Sequence, residues 1–264
     1  MMIPGILGIA AFTGVVAYLE NDVFNATFKN TTAIHALVGF VLSMFLVFRT
    51  NTAYDRWWEG RKAWGSFLNN ARNLALKLSA LGLEEQRRAM FATLISNYVF
   101  ATKEHLRLGV NKAELAATGR YDYDWYKDSQ HVPNRIMQAI YIEIQNLYVE
   151  SKIDGFQLNY LNNELGSFTD NIGICERVKK TPIPYSYSLY LKKIIFIYVF
   201  TMPIGFVREF GYWAMPIVSL VFYVFGSIEL LAEEIEDPFG SDANDLPTDQ
   251  ICETIRSNVF ETLA

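Results

Sequence analysis

The chain has 264 residues, room for one large domain or two small ones, and 51% of them are apolar, which leaves globular and membrane classes both open. Its net charge of −5 is unevenly placed: residues 229–264 hold ten acids against one base, Arg256, while residues 49–190 hold eighteen bases against fifteen acids, so no clean basic stripe argues for nucleic-acid binding. The two cysteines, Cys175 and Cys252, stand in no CxxC or zinc spacing and argue against a disulfide framework.

In chain order, the first apolar block is Ile3 to Leu19, without a charge. No basic segment precedes it and no small-residue cleavage site follows it, so it is not expected to be a cleavable signal peptide. The second block, Ala33 to Phe48, has His35 as its ionisable residue. Charges then enter at Arg49, in "RTNTAYDRWWEGRKAW", so a helix running through this text would leave an apolar medium for a polar one. Residues 65–80 and 83–108 show the three- and four-residue apolar spacing of helices. Residues 132–152 form a further predicted helix with Pro133 in its first turn, and 154–178 another, with Gly166 as a candidate break. Pro182 and Pro184 stop that helix and predict an extended entry into the third apolar block, Ile194 to Val207. The fourth runs from Tyr212 to Ile228 and ends at Glu229; a turn-rich acidic loop and a terminal helix with Ile251, Ile255 and Val259 on one stripe complete the chain.

Each block is a little short of the roughly 20 residues that span a bilayer. Four such blocks in two pairs, each pair joined by a short polar connection, nonetheless read as membrane helices. Aromatic residues at the block ends (Tyr18, Phe28, Trp57, Trp58, Trp213) fit an interfacial belt. Arg49, Arg56, Arg61, Lys62, Lys192 and Lys193 flank one side, which by positive-inside bias puts both termini and residues 49–190 in the cytoplasm. The expected organisation is an all-α membrane protein: a helix pair over 1–48, a cytosolic helical region over 49–190, a second pair over 191–232, and an acidic tail over 233–264.

The text carries no GxSxG, HExxH, Walker or GxGxxG motif, so catalysis is not expected. His35, His105 and His131 are far apart and in no metal-ligand spacing; His105 reads as a solvated helix residue. Phe40, Met44 and Phe48 recur at i, i+4 and i+8, a stripe that packs on a neighbour or on lipid or, repeated around an axis, closes a pore by dewetting. Periodicity does not choose. Arg49 and Arg56 read either as a stop-transfer anchor or as partners of Asp55 or Glu59 on neighbouring turns. The acidic loop from Glu233 to Asp245 is dense in oxygen ligands of the kind calcium takes, but its spacing is not that of an EF-hand, and a solvated turn is the alternative.

Three motifs in order, "FRTNTAYDRWWEGRKAWG", "TPIPYSYSLYL" and "EEIEDPFGSDANDLP", resemble the bestrophin family in its bacterial branch, over nearly the whole chain. The resemblance implies a homopentamer with one axial pore, four membrane helices per subunit, a large helical cytosolic region, and ion conduction in a bacterial inner membrane. It places the hydrophobic neck on Phe40, Met44 and Phe48, and the cytosolic aperture on Phe156. The family's calcium clasp falls on Glu234, Asp237, Ser241, Asp242 and Asp245. Ser241 stands where animal members carry an acid, which removes a ligand; family members usually carry a segment before the first span, and here the span is expected to start almost at Met1. The implied function is a channel for small monovalent ions, anions by family default. A sodium-type cation channel of the same fold and a non-conducting scaffold are the alternatives. Its partners would be copies of itself, the bilayer and the permeant ions, with no nucleic acid and no cofactor beyond that calcium.

Overall fold

Inside hydrocarbon every backbone N–H and C=O must bond within its own segment, so the apolar blocks have helix as their open route. The structure, a computed structural model, describes residues 2–24, 32–107, 109, 114–126 and 128–264; Phe28 of the expected aromatic belt lies outside them. Helix α1 (Ile3–Tyr18) continues into a π turn over Leu19–Phe24. It is followed by α2 (Thr32–Ser79), α3 (Glu85–Leu106), the single turn α4 (Tyr123–Tyr126), α5 (Val132–Val149) and α6 (Gly155–Lys180). Helices α7 (Tyr185–Phe210), α8 (Ala214–Glu236) and α9 (Thr248–Leu263) complete the chain. No strand occurs among the described residues.

Two compact units divide the chain: Met1–Arg56 with Pro182–Glu236, and Trp57–Thr181 with Asp237–Ala264. In the first unit three helical stretches are long and apolar enough to cross a membrane: Ile3–Val23, the start of Thr32–Ser79, and Tyr185–Glu236. The last is a hairpin. Its corner is Gly211, at φ +53°, a left-handed conformation that glycine adopts without a Cβ clash. Four membrane helices result, as expected.

Side-chain pairings fix their directions. Lys192 pairs with Glu233 and Tyr198 packs on Phe225, so α7 and α8 are antiparallel. Gly5 faces Phe222 and Gly14 faces Met215, so α1 and α8 are antiparallel. His35 meets Thr201 and Gly39 meets Tyr198, which sets α2 antiparallel to α7. A Cβ on Gly39 would sit 2.6 Å from the Tyr198 hydroxyl, so the absence of a side chain there permits the close approach. Leu42, Leu46, Ile195, Val199, Met202 and Val218 fill the space between the helices.

The second unit is built like a soluble protein. Trp64, Phe67, Tyr98 and Phe168 are fully buried and stack edge to face, with the Tyr98 hydroxyl donating to the Phe168 carbonyl at 3.1 Å. Helix α5 begins with Pro in its first turn, as predicted, because the missing N–H costs nothing there. Asp154 caps α6 through a reciprocal pair of bonds with Gln157. On α9 the buried stripe is Thr248, Cys252, Ile255, Val259 and Leu263, so Ile255 and Val259 are inside while Ile251 sits at its edge.

Two expectations need correction, and one is extended. The helical spacing of residues 65–80 belongs to α2, which is continuous for 48 residues, about 72 Å at 1.5 Å per residue. Gly60 does not interrupt it, because the Phe239 ring lies where its side chain would be, about as close as packing permits at 3.0 Å. Helix α6 runs through Gly166 without a break. The extended entry before the third span is confined to residues 181–184, since α7 already begins at Tyr185, well ahead of the uninterrupted apolar run.

Candidate functional site

On the membrane part of α2, Leu42, Leu46, Arg49 and Ala53 are buried against the rest of the first unit. At about 100° per residue, Phe40, Met44 and Phe48 occupy an arc of about 80° on the opposite side of the helix. They are 64%, 47% and 60% exposed. Among the described residues, the chain's own helices therefore leave the stripe uncovered, together with its neighbours Leu37, Val41 and Val47. An apolar face of this size on a membrane-length helix is available to lipid or to further copies of the chain.

One residue past Phe48 the chemistry inverts. Arg49 is 1% exposed, and its Nη2 donates to Glu236 Oε2 at 2.6 Å, with Glu229 Oε2 3.9 Å from its Nε. Glu236 also accepts from the Ile183 backbone N–H at 2.7 Å, and its carbonyl accepts from Arg56 Nε at 3.1 Å. The end of α8 is thus tied to two successive turns of α2 and to the entry of α7. The expectation that Arg49 pairs with Asp55 or Glu59 is corrected, because those acids lie on its own helix and Arg49 turns inward toward α8. Glu229 and Glu236 were missed as its partners; their spacing of two turns at the close of the fourth apolar block was the available signal.

In the second unit, Phe156 stands in the first turn of α6, 87% exposed and uncovered by its own unit. The acidic loop folds as successive turns. Trp57 Nε1 donates to the Asn244 carbonyl at 3.0 Å, Leu246 N–H to the Pro238 carbonyl at 2.9 Å, and Asp242 N–H to Asp245 Oδ2 at 2.6 Å. Asp237 lies 3.8 Å from Lys179, Ser241 is exposed, and Glu234 belongs to α8 in the other unit. Burial pushes the Asp245 carboxyl above its ordinary value, the Asp242 and Asp237 charges add to this, and the bond from Asp242 N–H opposes it. Its Oδ1 is buried without a hydrogen bond. An all-oxygen donor set with one unpaired buried carboxylate oxygen fits a hard cation such as calcium. Carboxylates alone do not complete a cage, since among the described residues no three His, Cys, Asp or Glu donors of this loop lie within 4.8 Å of one another.

Four apolar helices, one bearing an uncovered aromatic stripe, together with a helical unit that has its own aromatic core, define a membrane protein of the channel-forming class. The sequence matches the Bacterial/Fungal Bestrophin protein family over residues 1–261, and the chain belongs to that family. It is 39% identical to a voltage-dependent anion channel-forming protein of a Nostoc species over 83% of this chain and 73% of that one. A protein of the same description from Mesorhizobium japonicum is 32% identical over 99% of this chain and 85% of its own. The crystal structure of a bacterial bestrophin homologue from Klebsiella pneumoniae superposes with a TM-score of 0.92 at 27% identity, covering 100% of this chain and 98% of that one.

Proposed function

We propose that the chain assembles as a homopentamer in a bacterial inner membrane and passes small monovalent anions down an axial pore. Residues 1–48 and 191–232 lie in the bilayer, and 49–190 and 233–264 face the cytoplasm with both termini. Five copies of Phe40, Met44 and Phe48 form a narrow apolar neck, and five copies of Phe156 a second constriction in the cytosolic vestibule. No residue performs covalent chemistry. The carrying observation is the orientation of α2: its aromatic stripe points about 170° away from the face that its own subunit buries. Likeness to relatives named anion channel-forming proteins supports the sign of the permeant ion.

Selectivity in such a throat comes from its width and from the cost of stripping water off the ion against apolar walls, modulated by fixed charge in the wider sections. Calcium, where it binds, would be held by Asp237, Ser241, Asp242 and Asp245, partly through side chains and partly through backbone oxygens of the same loop. It would supply a fixed positive charge that offsets the crowding of acids there.

The test is the reversal potential of the purified protein in a planar bilayer under a KCl gradient. Reversal near the chloride equilibrium potential is expected, and reversal near that of potassium would replace anion by cation passage. Met44→Ala should raise single-channel conductance severalfold. A protein that assembles yet stays silent, even with Phe40, Met44 and Phe48 all changed to Ala, would be a scaffold.

A further inference from the structure

Three helices of the second unit bring two histidines and a carboxylate to one point. His105 lies in the last turn of α3, His131 caps the start of α5, and Glu176 sits on α6 beside buried Cys175. His105 Nε2 is 2.6 Å and His131 Nε2 2.8 Å from the same oxygen, Glu176 Oε1. The two imidazole rings lie 4.4 Å apart, centroid to centroid, and the three donor atoms all fall within 4.8 Å of one another. The expectation that His105 is a solvated helix residue is thereby corrected: it is half-buried and packed on a histidine 26 positions away.

We propose that His105, His131 and Glu176 bind a borderline divalent transition metal, zinc being the type case, with a fourth position open to solvent. Two imidazole nitrogens and one carboxylate oxygen form a three-protein-ligand set of the kind zinc takes when water completes its tetrahedron. Imidazole donors disfavour calcium and magnesium, which take oxygen cages. Zinc bonds of about 2.0–2.1 Å hold tetrahedral donors about 3.3 Å apart. The Glu176 oxygen must therefore withdraw by about 0.7 Å from His105 Nε2 and about 0.5 Å from His131 Nε2, a movement within reach of one glutamate χ rotation. The other carboxylate oxygen, Oε2, lies 3.5 Å from Lys180 Nζ. All three side chains keep a solvent-facing edge, so the metal has an entry path.

Loading has one local consequence. His131 Nδ1 accepts a 3.2 Å hydrogen bond from the Asn134 backbone N–H, which puts the ring proton on Nε2 in the metal-free state. A metal at Nε2 moves that proton to Nδ1 and releases the cap at the start of α5. The metal thus exchanges a local helix cap for a bond joining the ends of α3 and α5 to α6.

The experiment uses the full chain without an affinity tag, in detergent, stripped with a chelator. Calorimetric titration with zinc should give one metal per chain, and cobalt in its place should develop the intense visible bands of four-coordinate geometry. His105→Gln and His131→Gln should each weaken zinc binding more than about ten-fold, while His35→Gln leaves it unchanged. A zinc-edge anomalous map of the unaltered protein reads the same point without any variant, and its peak should lie among the three donors. A peak elsewhere, no stoichiometric binding, or affinity unchanged in both histidine variants would overturn the proposal and leave the cluster a hydrogen-bonded triad.

Discussion

The two units of the chain distribute their side chains in opposite ways. In residues 57–181 and 237–264 the large rings are inside, with Trp64, Phe67, Tyr98 and Phe168 at the centre. In residues 1–56 and 182–236 large rings such as Phe40, Phe48, Phe196 and Trp213 are outside, and the fully buried positions include Ala17, Thr13, Ala214, Arg49 and Glu229. Water drives the first arrangement through burial of apolar area. Lipid offers no such drive, because its tails are as apolar as leucine, so the membrane unit is held by close packing of its aliphatic and small side chains and by polar groups that have nowhere else to bond. The difference teaches that exposure means something different in each unit. An exposed Phe on α2 is at home in its medium, and an exposed Phe156 on α6 is not.

The largest test of this contrast is Phe67→Ala, which opens a cavity in the core of the second unit and should cost about 3–5 kcal/mol, read as a lowered denaturation midpoint in detergent. Next comes Arg49→Ala. Removing the base deprives Glu229 and Glu236 of the buried guanidinium that both face, at a cost of about 3 kcal/mol, and Glu229→Gln in the same chain should recover part of it.

A smaller effect is expected at Asp249, whose carboxyl is drawn from its ordinary 3.8 down to about 2 by the hydrogen bond from Arg107 and then by that from Lys103, against burial. A depressed carboxylate contributes stability above 3.8 that is lost as pH falls toward 2. Asp249→Asn should therefore be less stable than the unaltered chain at pH 5, and the gap should close in acid. Because Asp249 is largely exposed, screening keeps this below about 1 kcal/mol. The smallest change in stability belongs to Phe40→Ala, within about 0.5 kcal/mol. Its conductance should rise with that of Met44→Ala, so a large loss of stability at Phe40 would show the stripe to be packing.

How much was legible beforehand differs by element. The four spans, the helices at 83–108 and 132–152 and the family motifs were readable because they rest on composition, on spacing within a few turns and on prolines that act on their neighbours. The length of α2 was not, since Gly60 invites a break that the Phe239 ring, 179 residues later, removes.

What the sequence by itself determined is the apolar or charged character of each segment, the helical class and the stripe of Phe40, Met44 and Phe48, all consequences of local composition and periodicity. What only the tertiary structure decided is which groups meet: Arg49 with Glu236 across 187 positions, and His105 and His131 with one oxygen of Glu176. Charges and imidazoles carry no address in the text. Their partners are chosen by where packed helices happen to place them, and that choice is made only when the chain is folded.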